Sequence, residues 1–201
     1  MPKTLSLLTA AALLALAAPL SAQDAGTGQA EAPAGQPDEA LDLGQDVTNE
    51  NGVGSTYIAE EHGDWAIQCV RTEQPETDPC RLYQLLNDSE GNAVAEVRFF
   101  PVPEGGQAVA GATVVVPLET LLTQQLTIQV DDGNAKRYAF SYCNAVGCVA
   151  RVGFTEADIN AFRRGAVANV SIVPAAAPDQ RVNLEMSLTG FTAGFEAVSD
   201  Q

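Results

Sequence analysis

"SYCNAVGCVARV", residues 141–152, sets two cysteines, Cys143 and Cys148, five positions apart, with Gly147 just before the second. Three chemistries compete for such a pair: a redox site, half of a metal site, or a covalent staple. A thioredoxin-like redox pair is separated by two residues and sits at a helix N-terminus, where the thiolate is stabilised. Here four residues intervene, and the flanks alternate as strands do. A four-cysteine zinc site needs two close pairs. The remaining cysteines, Cys69 and Cys80, have ten residues between them. The stretch therefore reads as a hairpin of two strands closed by a disulfide, with Gly147 supplying a positive φ in the tight loop.

The start of the chain supports the oxidising compartment that this reading needs. Lys3 and the amino terminus precede the apolar run "LSLLTAAALLALAAPL", and "LSA" offers small residues for cleavage after Ala22. That is the pattern of a secretory signal peptide over residues 1–22. No later stretch is apolar for long enough to span a bilayer as a helix. An even number of cysteines in an exported chain reads as disulfides. Four cysteines allow three pairings. The chain-entropy account credits a loop of about six residues with roughly 2 kcal/mol, one of about twelve with roughly 3, and one of about 75 with roughly 4.5. Entropy alone thus favours crossed pairs, whereas proximity favours Cys69 with Cys80 and Cys143 with Cys148. The local pairing is expected, because each pair brackets a loop between two strand-like segments.

The chain has 10 Lys and Arg against 26 Asp and Glu, a net charge of −16. Such a charge keeps a protein soluble and opposes binding to nucleic acid or an anionic membrane. Residues 23–61 hold nine acids and no base, and are rich in Gly, Ala, Pro and Gln. They bury too little apolar surface to offset the entropy of ordering, and read as a disordered acidic tail. Within them "DVTNENG" falls short of a calcium loop, because Asn51 stands where the loop requires glycine. No other metal or cofactor motif appears.

From residue 62 to residue 198 the texture changes. "DWAIQCVR", "CRLYQLLN", "AVAEVRFF", "LTIQVD", "KRYAFSYC", "CVARVGF", "VANVSIV" and "RVNLEMSL" alternate or run apolar over short lengths, with turn signals such as "DDGN" between them. "GFTAGFEAV" is assigned to a last strand, with Gly190 at a bend leading into it. One helix is expected in "TEADINAFRRG": Thr155 caps it, Asp158 answers three residues on, and Gly165 ends it. About nine to ten short strands and one short helix predict an all-β, immunoglobulin-like β-sandwich with two local disulfides.

Catalytic constellations are absent from the sequence. The only histidine, His62, stands at the edge of the tail and is expected to be solvated. There is no Gly-x-Ser-x-Gly elbow and no phosphate-binding loop with its lysine. Asp131 and Asp132 precede Gly133, as turn-capping aspartates do. Two basic spots, Lys136–Arg137 and Arg163–Arg164, form a candidate docking patch in an otherwise acidic chain.

Six landmarks in order, "GDWAIQC", "CRLYQ", "VPLETLL", "IQVDDG", "YCNAVGCVARV" and "MSLTGFTAGFEAV", resemble the invasion-associated locus B (IalB) family of exported bacterial proteins. The resemblance covers about residues 62–198. Glu119 stands where the family has glycine, and Thr189 where it has lysine. The resemblance implies an immunoglobulin-like β-sandwich, a periplasmic or surface location, and no enzymatic activity or cofactor. It also implies framework roles for Gly63, Trp65, Gln84, Asp131, Gly147, Gly190 and Phe191, with Trp65 filling the core beside a disulfide. The expected function is a non-catalytic binding module of the bacterial envelope, linked to host-cell invasion, with an unknown protein or envelope partner. The alternative is a periplasmic structural or envelope-stress protein with no specific receptor.

Overall fold

The computed structural model describes residues 51–103 and 105–201. The expected signal peptide and most of the expected tail lie outside them. Eleven strands and two α-helices follow in order. They are β1 (Thr56–His62), β2 (Trp65–Val70), β3 (Cys80–Asn87), β4 (Ala93–Pro101), β5 (Ala110–Val116), β6 (Leu126–Val130), β7 (Lys136–Tyr138), β8 (Phe140–Asn144), β9 (Gly147–Phe154), α1 (Glu156–Arg164), β10 (Val167–Ile172), β11 (Val182–Ser187) and α2 (Phe191–Ser199).

The strands form two antiparallel sheets, as the all-β reading requires. One has seven strands in the order β1-β2-β3-β4-β5-β9-β8, the other four in the order β11-β10-β6-β7. Alternation explains both. Trp65, Ile67 and Cys69 of β2 point inward, as do Leu82, Gln84 and Leu86 of β3 and Leu126 and Ile128 of β6. The inner faces share one core with Ile159 and Phe162 of α1 and Phe191, Phe195 and Val198 of α2. Trp65, Phe99, Phe154, Phe162 and Phe191 meet there at centroid distances of 5.0–5.6 Å. Aromatic pairs of this kind add about 0.5–1.5 kcal/mol each beyond the area they bury.

Both disulfides have the local pairing. Cys69–Cys80 links β2 to β3 and Cys143–Cys148 links β8 to β9, each joining residues directly opposite in the ladder. Helix α1 is also as expected. Thr155 and Asp158 form a reciprocal capping box, and Arg163 and Arg164 occupy its last turn.

Three expectations need correction. "GFTAGFEAV" is a second helix, so the described residues hold two rather than one. Phe191, Phe195 and Val198 are buried at i, i+4 and i+7, which is a helical stripe. Residues 56–61, assigned to the tail, form most of β1, so the domain starts before residue 62. As an edge strand with little to bury, β1 carries Glu60 and Glu61 outward and looks like tail in composition. His62 is not solvated. Its side chain is 17% exposed and packs against Gly194 of α2. Its Nε2 is 3.2 Å from Glu60 Oε1 without hydrogen-bond alignment.

Candidate functional site

Most of the framework positions converge on one junction. Trp65 Nε1 and Gln84 Nε2 both donate to the Ser187 carbonyl, at 2.8 and 3.1 Å. Gln84 Nε2 also donates to the Asp64 carbonyl at 3.0 Å, and Ser187 Oγ donates to Asp64 Oδ2 at 2.6 Å. Gly63 (φ +59°) and Gly190 (φ +88°) cross at the same place. A Cβ at Gly63 would lie 2.6 Å from the Thr189 carbonyl oxygen, and one at Gly190 would collide with the His62 carbonyl. Phe191 follows at once, fully buried against Trp65. The turn between β1 and β2 is thereby latched onto the turn that starts α2. Trp65 has Phe99 and Phe191 as its ring neighbours. Gly147 lies elsewhere. Its φ is positive, at +155°, and a Cβ there would meet the Val116 carbonyl oxygen at 2.5 Å. The expected positive φ is thus present, and a close approach of strands adds to the need for glycine.

Asp131 also lies away from the latch. Its carboxylate accepts hydrogen bonds from the backbone N–H groups of Ala166 (3.2 Å) and Val167 (3.1 Å), tying the end of β6 to the turn after α1. Between those two elements a groove of about 440 Å³ opens beneath α1. Ile128, Val130, Tyr138, Phe154, Ala161 and Phe162 form its floor and walls, and Asp131, Asn134, Lys136, Asp158 and Arg164 stand at its polar edge. Tyr138 and Phe162 each meet Phe154 edge-on, at 6.0 and 5.0 Å. An apolar floor with a few polar groups around it is the usual form of a small binding site.

The electrostatics of the groove centre on Asp158. Lys136 Nζ lies 2.5 Å from Asp158 Oδ1, while Asp158 Oδ2 accepts from the Thr155 backbone N–H and hydroxyl. Burial of this carboxyl works against its charge, and the Lys136 and Thr155 donors outweigh burial, so its pKa is held below the ordinary 3.8. Burial, reinforced by the Asp158 charge, pushes the Tyr138 phenol up to about 12. Tyr138 therefore keeps its proton at any physiological pH and remains a hydrogen-bond donor.

The candidate docking patch does not form one surface. Lys136 and Arg164 edge the groove. Arg137 points to the other side of the four-stranded sheet, as alternation demands of the next residue in a strand. Arg163 is exposed on α1 and lines neither recess. Sequence reasoning missed Tyr138, Asp158 and Ala161 as groove residues, because the Lys136–Asp158 contact spans 22 positions that no local pattern links. It also missed Asp64 and Ser187 at the latch. Among the described residues no helix is long and apolar enough to cross a membrane.

The architecture defines a class: a small disulfide-stapled β-sandwich, latched at one end and grooved beneath its first helix. The family model described as Invasion associated locus B (IalB) protein matches residues 65–199, and the chain belongs to that family. An Invasion protein B homolog of Brucella abortus (strain 2308) is 27% identical over 146 residues, 72% of this chain and 81% of the relative. A homolog from Brucella abortus biovar 1 (strain 9-941) matches to the same extent. The crystal structure of invasion associated protein b from Bartonella henselae superposes with a TM-score of 0.58 at 22% identity, covering 69% of this chain and 92% of that one. At that identity the likeness establishes the fold.

Proposed function

We propose that this chain is an exported, non-catalytic protein of the bacterial envelope that binds a partner through the groove beneath α1. The observation that carries the reading is the groove itself, where an apolar aromatic floor is edged by Lys136, Arg164 and Asp131. Its carboxylates are engaged in structure, Asp131 with two backbone N–H groups and Asp158 with Lys136 and Thr155, which supports binding rather than proton transfer. The two disulfides support an oxidising compartment outside the cytoplasm. The names of the Brucella and Bartonella relatives support a link to host-cell invasion. The groove suits an apolar side chain or short apolar segment of a protein partner, with an acidic group placed to meet Arg164.

A photo-crosslinking residue at Asn134, on the edge of the groove, tests this in cells of the source organism. A control at Arg151, on the outer face of the seven-stranded sheet, sets the background. The expected result is a discrete adduct from position 134 and none from 151. Equal, diffuse labelling from both positions would contradict a binding groove.

A further inference from the structure

The opposite face of the four-stranded sheet carries a second recess of about 570 Å³, unlike the groove in character. Arg137, Thr127, Ser171 and Asn183 are successive cross-strand neighbours over β7, β6, β10 and β11, and form one row across it. Gln129 and Asn169 pair in the next row, and Arg181 closes one end. Ala135 is the only lining residue without a polar side chain.

Charge sets this recess apart. The chain has a net charge of −16, yet two guanidinium groups and no carboxylate line the recess. Neither arginine makes an ion pair among the described residues. Glu185 is opposite Asn169 in the ladder but outside the lining. Two hydroxyls lie at the base. Ser171 is 6% exposed and accepts from Arg181 Nη1 at 3.3 Å, and Thr127 Oγ1 is buried with no partner. A buried hydroxyl left unpaired is costly, and a ligand able to reach it gains that bond. Gln129 Nε2 is fixed by donation to the Gly133 carbonyl at 2.8 Å, which sets the orientation of its amide.

We propose that this recess binds an anionic saccharide unit, a polyhydroxylated ring bearing a carboxylate. A guanidinium fork matches a carboxylate through two parallel hydrogen bonds. The hydroxyl and amide side chains offer both donors and acceptors, the complement of sugar hydroxyls. A bare anion would take donors only and leave the amide and hydroxyl acceptors unused, and the recess falls in the size range of sites for whole small molecules. An apolar ligand would find a lining that is mostly polar. The proposal is independent of the groove, because alternation puts Lys136 and Arg137 on opposite faces of β7.

The test is calorimetric titration of the disulfide-bonded protein with galacturonate and glucuronate oligosaccharides, their neutral methyl esters, and inorganic phosphate. An acidic oligosaccharide is expected to bind, its ester to bind at least about tenfold more weakly, and phosphate to compete poorly. Arg137→Gln and Arg181→Gln should each weaken binding about tenfold, and Asn169→Ala should weaken it several-fold. Arg163→Gln, exposed on α1 and lining neither recess, should leave it unchanged. Both arginines are exposed, so circular dichroism should report intact folds for their variants. Failure of both acids to bind at millimolar concentration would overturn the proposal. So would equal binding of the esters. Competition by phosphate as strong as by sugar, with no effect of Asn169→Ala, would reduce the recess to a bare anion site and overturn it too.

Discussion

At the junction of the β1–β2 turn with α2, the Ser187 carbonyl takes two side-chain hydrogen bonds and two glycines pass with no room for a methyl group. Beneath α1, an aromatic floor stands open, with Lys136, Arg164 and Asp131 at its edge. The first region is closed and paired, the second open. Gly63, Trp65, Gln84, Gly190 and Phe191, five positions marked by the family resemblance, all belong to the closed region. Those five positions thus report how the sandwich is shut. The landmark "IQVDDG" differs, since Ile128, Val130 and Asp131 line the groove and Gln129 the recess on the other face.

The contrast can be broken first where it is tightest. Gly190→Ala should cost about 4 kcal/mol or more in urea unfolding, because a left-handed φ and a backbone collision add. Removing the staples comes next. Replacing Cys69 and Cys80 by alanine should cost about 3 kcal/mol, and replacing Cys143 and Cys148 about 2, since the second loop is shorter. A reversed order would mean that loop closure does not set the ranking, since Cys69 and Cys148 are equally buried. Gln84→Ala should cost about 2 kcal/mol, because the buried Gln84 amide joins the Asp64 and Ser187 carbonyls and its removal takes a donor from both. Ala161→Trp fills the open groove and should shift stability by no more than about 0.5 kcal/mol.

The smallest effect is pH-dependent. The Asp158 pKa is depressed in the folded state, so its ion pair stabilises the fold above the unfolded value and is lost as pH falls. The stability difference between the wild-type protein and Asp158→Asn should be constant near neutrality. It should shrink as pH drops below the ordinary 3.8. A difference that grew on acidification would place the carboxyl in the wrong partnership.

Much of this fold is legible in the sequence for physical reasons. Strands betray themselves by alternation, the capping box of α1 by Thr155 and Asp158, and the staples by cysteines bracketing short loops. Helix α2 escaped because Phe191, Thr192 and Phe195 have strand-like residue types, while their burial follows a helical period. The start of the domain escaped because an acidic edge strand has the composition of a tail. At the groove, only Lys136, Arg164 and Asp131 carried a signal. Adjacency made Lys136 and Arg137 look like one patch, whereas a strand sends neighbours to opposite faces. Tyr138 and Asp158 become partners of the site only when α1 folds over β7, and no local pattern encodes that contact.

The division between a structural latch and a binding groove is tested most directly by crosslinking from Asn134 in a chain that also carries Ala161→Trp. The expected result is an unchanged urea midpoint together with loss of the adduct seen without the tryptophan. An adduct that persists at full yield with the groove filled would contradict the account and move the partner to another face of the sandwich.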